Sequence, residues 1–134
     1  MKPTLMPKKS LGQHFLRCGW VATALVKAAE INSKDIILEI GPGRGELTYF
    51  LASAAKKVIA VEKDERLAQE LKQKLAQEKI TNVKIITGDA LTWISKTRLR
   101  RYKVVSNIPY YLTSRLLRTL LESKSQPELI ALTI

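Results

Sequence analysis

Apolar residues along the chain occur in two alternating patterns. Short runs rich in β-branched residues predict strands, and segments with apolar residues three or four apart predict helices. Strands that alternate with helices and are apolar almost throughout are typical of a parallel sheet covered on both faces. With right-handed crossovers, the pattern predicts an α/β fold with a Rossmann-like, doubly wound, mostly parallel sheet. The predicted strands cover 36–40, 58–61, 83–86, 104–106 and 129–134, and the predicted helices cover 20–29, 46–55, 64–78 and about 114–121.

Polar or glycine residues follow each of the first four predicted strands. The loop Gly41-Pro42-Gly43-Arg44-Gly45 follows the first strand, and Glu62, Asp89 and Asn107 follow the next three. In a doubly wound sheet ligands bind beyond the carboxyl ends of the strands. A glycine loop that opens a helix lets a ligand approach the backbone, and a carboxylate such as Glu62 can accept both ribose hydroxyls. Taken singly, these residues also fit a tight turn, a solvated strand end and a Gly-Asp turn. Together, with Asp89 as acceptor for an adenine amino group, they predict an adenosine site.

A nicotinamide dinucleotide is the alternative ligand for such a loop. Its fingerprint, G-x-G-x-x-G, has a third glycine at the position that Glu46 occupies here. A carboxylate there would repel a pyrophosphate. A zwitterionic amino acid attached to adenosine suits the loop better, so an oxidoreductase is disfavoured.

The segment Asn107-Ile108-Pro109-Tyr110 resembles the (Asn/Asp/Ser)-Pro-Pro-(Tyr/Phe) motif of amino-methyltransferases, with an aliphatic second residue. An exocyclic adenine amine is a poor nucleophile because its lone pair is delocalised into the ring. The Asn107 amide oxygen and the backbone carbonyl of Ile108 or Pro109 would accept its N–H hydrogens and so direct the lone pair. Tyr110 would stack on the extruded base. A strand-end Asn-x-Pro turn is the structural alternative.

The distribution of charge along the chain predicts a nucleic-acid partner. The chain has 134 residues with a net charge of +11, and residues 1–29 and 90–121 contain no acid. Phosphate backbones bind such surfaces, and the run 96–103 is predicted to contact RNA phosphates without reading sequence. A generally basic, solvated surface is the other interpretation. A membrane partner is disfavoured because the basic runs lack an amphipathic apolar face. The single cysteine, Cys18, fits a reducing cytoplasm, and no metal site is predicted.

Four segments in the same order and spacing resemble the ribosomal RNA adenine N6,N6-dimethyltransferase family. They are 11–16 (LGQHFL), 39–48 (EIGPGRGELT), 88–90 (GDA) and 107–110 (NIPY), and 9–13 (KSLGQ) resembles the small-subunit branch more than the resistance branch. The resemblance implies a class I fold that uses S-adenosylmethionine to dimethylate adenine N6 of small-subunit ribosomal RNA. It implies catalytic roles for Asn107, Pro109 and Tyr110. It implies cofactor contacts from Gln13, His14, Leu16, Gly41, Gly43, Glu62, Asp89 and Asn107, the first three through an N-terminal motif that folds over the methionine end.

Two other functions stay open within this resemblance. One is a catalytically silent RNA- or DNA-binding relative, against which the intact motif at 107–110 argues, and the other is a large-subunit, resistance-type methylase. Tyr111 departs from the family pattern, since an asparagine is common there.

The resemblance also implies that part of the family's architecture is missing. The family's later strands and small C-terminal helical domain do not follow residue 134. Residues 1–134 are therefore expected to be an incomplete N-terminal cofactor-binding catalytic domain, truncated in its fifth strand, prone to aggregate and inactive alone. The whole protein is expected to be a cytoplasmic monomer that acts on the small ribosomal subunit.

Overall fold

A computed structural model describes residues 11–133, with side chains of the first helix described from Gly19 onward. Helices and strands alternate along this part of the chain. None of the helices within it is long and apolar enough to cross a membrane. The elements are α1 (Leu11–Ala28), β1 (Ile36–Ile40), α2 (Glu46–Ala54), β2 (Lys57–Glu62), α3 (Glu65–Gln77), β3 (Val83–Thr87), α4 (Ala90–Lys96), β4 (Tyr102–Ser106), α5 (Tyr110–Glu122) and β5 (Leu129–Leu132).

The five described strands form one sheet in the order β3-β2-β1-β4-β5, and every neighbouring pair is parallel. The predicted doubly wound sheet is therefore confirmed. The chain reverses its winding direction at β1, which lies between β2 and β4. The backbone register of β1 with β4 ends at Leu38 and Val104. Beyond it the buried Ser106 hydroxyl donates to the Ile40 carbonyl at 2.6 Å and accepts from the Ile40 N–H at 3.2 Å.

The sheet divides the hydrophobic core into two layers. Successive residues of a strand point to opposite faces, so Ile37 packs on one face while Leu38 and Ile40 pack on the other. The first layer is completed by α1 and α2, through residues such as Leu51. The second is completed by α4 and α5, through residues such as Leu116. Helix α3 packs against β2 and β3 and contacts α2 where Lys74 lies over the Tyr49 ring.

Two predicted helix boundaries were wrong, and one helix was missed. Helix α1 begins at Leu11, whereas the pattern suggested residue 20. Helix α4 was not predicted, because it is only seven residues long and Asp89, which caps it, suggested a turn. Helix α5 begins at Tyr110 rather than near 114, because Pro109 serves as its N-cap. Proline is compatible with a helix start, where its missing N–H would have no helical partner.

Gly45 and Gly43 provide a matched test of why the loop needs its glycines. Both have positive φ, 90° and 59°, but a Cβ on Gly45 would lie 2.6 Å from the Leu71 side chain, whereas one on Gly43 would meet nothing within 4 Å. Because Leu71 is buried, it has little room to move aside. We expect Gly43→Ala to cost about 1–2 kcal/mol of unfolding free energy through backbone strain alone. Gly45→Ala should cost about 1–3 kcal/mol more through overpacking. Urea unfolding of both variants measures the difference, and equal losses would show that Leu71 moves aside freely.

Candidate functional site

The glycine loop between β1 and α2 borders an open space. Gly41 and Gly43 have positive φ of 67° and 59°, and a Cβ on either would meet nothing within 4 Å. The Gly41 N–H donates to the Val61 carbonyl of β2 at 2.9 Å, which holds the start of the loop against the sheet. The loop therefore presents its backbone, without side-chain cover, to a cavity of about 150 Å³. The cavity is lined by Val21, Ala22, Leu25, Glu39, Gly41, Pro42, Gly43, Glu46, Leu47 and Asn107.

Glu62 joins the end of β2 to the glycine loop. One of its carboxylate oxygens accepts the Gly43 N–H and the other accepts the Asp64 N–H, both at 2.9 Å. The side chain is buried, with 7% of the residue exposed. Each carboxylate oxygen has a second acceptor site, so these two bonds leave Glu62 able to accept further hydrogen bonds. It is therefore both a brace for the loop and a potential ligand group.

A second buried carboxyl group, Glu39, lies in the cavity wall. Its Oε1 accepts a hydrogen bond of 2.6 Å from the Thr48 hydroxyl of α2. Burial raises the pKa of Glu39 to about 8; the bond from Thr48 opposes that rise, and the charges of Glu62 and Glu46 add to it. Acidic side chains thus surround the loop, although no group of three or more His, Cys, Asp or Glu residues in the described part could hold a metal ion.

Asp89 follows β3 and caps helix α4. Its Oδ2 accepts both the backbone N–H and the hydroxyl of Thr92, each at 2.9 Å. Those hydrogen bonds lower the pKa of Asp89, with smaller contributions from Lys63 and Arg115. The residue is exposed, and its Oδ1 takes no part in the bonds to Thr92. The preceding Gly88 N–H donates to the Glu62 carbonyl at 2.9 Å, so the ends of β2 and β3 meet.

Asn107 follows β4 and borders the cavity from the other side of β1. Its amide oxygen accepts a hydrogen bond of 2.8 Å from the Thr133 hydroxyl, just after β5. Two residues on, Pro109 begins helix α5, and its carbonyl accepts the Leu112 N–H at 3.0 Å. The turn between β4 and α5 is therefore fixed on both sides.

Two tyrosines at the start of α5 face solvent. Tyr110 is 81% exposed and Tyr111 is 74% exposed. Their rings contact edge to face, with centroids 6.2 Å apart and planes at 79°. Exposed aromatic rings at this edge of the sheet are suited to stacking on a planar ligand.

The structure brings together most of the residues predicted from the sequence. Gly41, Gly43 and Asn107 line one cavity, and Glu62 is bonded to the loop beside it. Asp89, Pro109 and Tyr110 lie at the same edge of the sheet, after β3 and β4. The side chains of Gln13, His14 and Leu16 lie outside the described residues, so their predicted contacts stay predictions.

Sequence reasoning missed the pair Glu39 and Thr48 and the contact of Thr133 with Asn107. Glu39 carried one signal, since it is the only charged residue in an otherwise apolar strand. Thr133 carried none, because it approaches Asn107 only through the pairing of β4 with β5.

Comparisons with known proteins point to one family. The family model described as ribosomal RNA adenine dimethylase matches residues 5–133. A ribosomal RNA small subunit methyltransferase A from Dehalococcoides mccartyi is 40% identical over 134 residues, which cover 98% of this chain and 45% of that protein. This chain therefore spans less than half the length of that relative.

Two solved structures agree with this match. A dimethyladenosine transferase from Plasmodium falciparum has a TM-score of 0.71 at 34% identity, with 84% of this chain and 40% of that chain covered. The 23S rRNA methyltransferase ErmE has a TM-score of 0.69 at 30% identity, with 82% and 44% covered.

The raised pKa of Glu39 leads to a prediction about pH. Because folding raises this pKa from 4.5 to about 8, the folded protein holds a proton that the unfolded chain releases between those values. The stabilising effect of this proton is present below pH 4.5 and is lost as the pH rises toward 8. Glutamine at position 39 does not titrate, so Glu39→Gln does not lose this stabilisation. We therefore expect the unfolding free energy of the variant to increase relative to that of the wild type as the pH rises from 4.5 to about 8.

Urea unfolding at several pH values measures the difference. Thr48→Val is the control, because it removes the hydrogen bond but keeps the carboxyl group, and its pH dependence should persist. A constant difference between Glu39→Gln and wild type across the window would show that Glu39 does not titrate in this way.

Proposed function

This chain belongs to the ribosomal RNA adenine dimethylase family, and from that premise we propose that it forms the cofactor-binding, catalytic part of an S-adenosylmethionine-dependent methyltransferase. The proposed substrate is adenine N6 of small-subunit ribosomal RNA. The observation that carries the proposal is a single cavity bordered by Gly41, Gly43 and Asn107, where the predicted cofactor loop meets the predicted catalytic motif. This chain covers less than half of the relative from Dehalococcoides mccartyi, and we propose that residues 1–134 form the N-terminal part of the enzyme.

The residues around the loop fit this cofactor. Bare loop backbone at Gly41 and Gly43 can receive the methionine end, with Gln13, His14 and Leu16 proposed to cover it. The unused acceptor sites of Glu62 suit the two ribose hydroxyls, and Oδ1 of Asp89 suits the adenine amino group. When bound, the cofactor supplies an electrophilic methyl group on a positively charged sulfur.

The charge of the site favours this cofactor over a dinucleotide. Glu39, Glu46 and Glu62 lie around the glycine loop, close enough for the latter two to raise the pKa of the first. With a pKa of about 8, Glu39 is mostly protonated at neutral pH, so the charges of Glu46 and Glu62 are the ones that attract cationic sulfur and ammonium groups and repel a pyrophosphate. The objection to an oxidoreductase therefore extends from Glu46 to Glu62.

The proposed chemistry rests on positioning the target amine. The Asn107 amide oxygen has one acceptor site engaged by Thr133 and a second for an amine hydrogen. Since the Pro109 carbonyl already accepts from Leu112, the Ile108 carbonyl is the better candidate for the other hydrogen, with Pro109 fixing the turn. Tyr110 would hold the extruded base by stacking. No strong base is required, because the nitrogen becomes acidic once it is methylated, so catalysis is by orientation and local electrostatics.

The setting of the reaction follows from the substrate. The curated relatives are named for the small ribosomal subunit, and we propose that subunit, in the cytoplasm, as the physiological target. The single cysteine of the chain agrees with a reducing compartment.

Asp89 is expected to bind cofactor as well as to cap α4, and two substitutions separate these roles. Asp89→Ala removes both functions, whereas Asp89→Asn retains a capping oxygen but turns an N–H toward the adenine amino group. We expect both variants to lose about 1–3 kcal/mol of cofactor binding, roughly ten- to a hundredfold in affinity. Only Asp89→Ala should also lose about 1 kcal/mol of stability. Calorimetry with S-adenosylmethionine and urea unfolding test the two effects. Wild-type affinity in Asp89→Asn would leave the residue as a cap alone.

Asn107 and Tyr110 are expected to affect turnover far more than stability. Asn107→Ala removes an acceptor that acts in the transition state, so methyl transfer should slow on the order of a hundredfold or more. Tyr110→Ala removes stacking worth about 1–3 kcal/mol, whereas Tyr110→Phe keeps the ring and should stay close to wild type. Single-turnover transfer of labelled methyl groups to ribosomal RNA provides the rates. Wild-type rates in either alanine variant would refute the role given to that residue. Because residues 1–134 alone are expected to be inactive, the assay uses the full-length enzyme, and no transfer by its wild type would favour a silent relative.

A further inference from the structure

A wide groove lies at the amino end of the sheet, between the loop that precedes β4 and the loop that precedes β5. Its volume is about 1100 Å³. One wall is formed by the end of α4 and residues 97–101, and the other by the end of α5 and residues 122–126. We call this feature the basic groove.

Cations dominate the lining of the basic groove. Five basic side chains border it and one acid, Glu122, opposes them. All five are exposed, and no salt bridge between described residues involves any of them. Hydroxyl groups of Ser95, Thr97 and Thr119 also border the groove. Those of Ser95 and Thr119 donate to backbone carbonyls of their own helices, whereas that of Thr97 accepts the Leu99 N–H and keeps its hydrogen for a ligand. The basic residues are Lys96, Arg98, Arg100, Arg101 and Lys124.

Partly buried hydrogen bonds hold the loop before β5 against the start of β4. The Tyr102 ring is fully buried, and its hydroxyl donates to the Ser125 carbonyl at 2.6 Å. The Glu128 N–H donates to the Tyr102 carbonyl at 2.8 Å, and the Ser125 N–H donates to the Ser123 hydroxyl at 3.1 Å. Because Tyr102 is the first residue of β4, it ties the second loop directly to the sheet. The wall that carries Lys124 is therefore braced against the sheet, which lowers the entropy that it loses on binding.

The basic groove is remote from the cavity beside Asn107. Arg101 immediately precedes β4 and Asn107 immediately follows it. At about 3.3 Å per residue, the strand separates them by about 20 Å. A ligand group in the cavity cannot reach the groove, so the groove is a separate site.

We propose that the basic groove binds the phosphodiester backbone of the RNA substrate, at a segment away from the target adenine. This inference rests on the proposed function, which identifies RNA as the ligand. It adds a second point at which that RNA is attached to the protein. Phosphate contacts of this kind give affinity and register but carry no sequence information. The groove therefore anchors RNA irrespective of sequence, while the motif at 107–110 receives the base.

Size and composition favour a polyanion over other acidic ligands. The groove is far larger than one phosphate ion, and its charges are spread over both walls. Its only large apolar lining residue is the half-buried Leu91, so it offers no apolar face for insertion into a membrane.

The test compares two triple variants that lose the same charge. The groove variant carries Lys96→Gln, Arg98→Gln and Lys124→Gln, which removes cations from both walls. The control carries Lys72→Gln, Lys79→Gln and Lys84→Gln, which are exposed around α3 and β3 at the far edge of the sheet. Binding of two fluorescent RNA duplexes, one from small-subunit ribosomal RNA and one of unrelated sequence, is followed by anisotropy over a salt series.

We expect the groove variant to bind both RNAs at least tenfold more weakly than wild type at moderate salt. The slope of log affinity against log salt should fall by about 2 to 3, at roughly 0.7–0.9 per lost contact. The control variant should stay within about twofold of wild type, since charges outside the contact act only through the screened overall field. Equal losses in the two variants, or no loss in either, would overturn the proposal. A loss confined to one RNA would overturn backbone recognition in favour of base readout.

Two further measurements distinguish RNA-backbone binding in the groove from binding of a small anion and from an effect on the cofactor site. Inorganic phosphate, added at constant ionic strength, should not displace RNA; if it does, the site binds a small anion and the proposal is wrong. S-adenosylmethionine affinity should be the same in wild type and both variants. If the protein binds RNA through the groove but does not bind the cofactor, the proposed enzymatic function is wrong and the RNA-binding role of the groove stands. If the protein binds the cofactor but its RNA affinity is unchanged in the groove variant, only the RNA-binding role of the groove is wrong.

Discussion

Beyond Leu38 and Val104 the backbones of β1 and β4 no longer pair, and the Ser106 hydroxyl joins the two strands there. By bonding both the N–H and the carbonyl of Ile40, this one side chain satisfies backbone groups that would otherwise be buried without partners. It keeps the strand ends together while their continuations diverge, the glycine loop toward α2 and Asn107 toward α5. The crevice left between them is the switch point of a doubly wound sheet, where ligands bind in such folds. The position of the candidate site is thus a consequence of strand order, and the side chains around it decide what it binds.

The sequence was sufficient to predict the sheet and the edge at which the site lies. Strands such as Val58–Val61 are apolar on both faces, which is the pattern expected of a sheet covered on both sides. A glycine or a polar residue follows each of the first four strands. In a parallel sheet every carboxyl end lies at one edge, so Glu62, Asp89 and Asn107 could be grouped without knowing the order of the strands. The order itself, with β1 between β2 and β4, needed the packing of whole elements.

What the sequence did not reveal involves residues that meet only through tertiary structure or serve two purposes. Glu39 and Thr48 lie on different elements, and their buried bond depends on how α2 packs against β1. An aspartate at position 89 fits both a helix cap and an adenine acceptor, so the residue type alone does not separate the two roles. Because Asp89 follows a glycine, its capping of α4 was interpreted as a turn. The basic run at 96–103 was visible as charge, but its opposite wall comes from residues about twenty positions later. Local patterns do not encode such pairings, because they follow from burial rather than from periodicity.

Charge is separated along the strands, and this separation connects the two proposed sites. At the carboxyl edge Glu46 lines the cavity and Glu62 is bonded to the loop beside it, whereas cations line the groove at the amino edge. The net charge of +11 draws a polyanion to the protein, but its phosphates are repelled by the acidic edge and attracted to the basic one. A neutral, extruded base is the part of an RNA that can enter an acid-lined cavity without that repulsion. The same acids attract a cationic cofactor, so one distribution of charge suits both partners of the proposed methyl transfer and keeps the RNA backbone away from the cofactor's place. In the proposed enzyme these acids are therefore selective as well as structural, because their charge favours a neutral base and a cationic cofactor over phosphate.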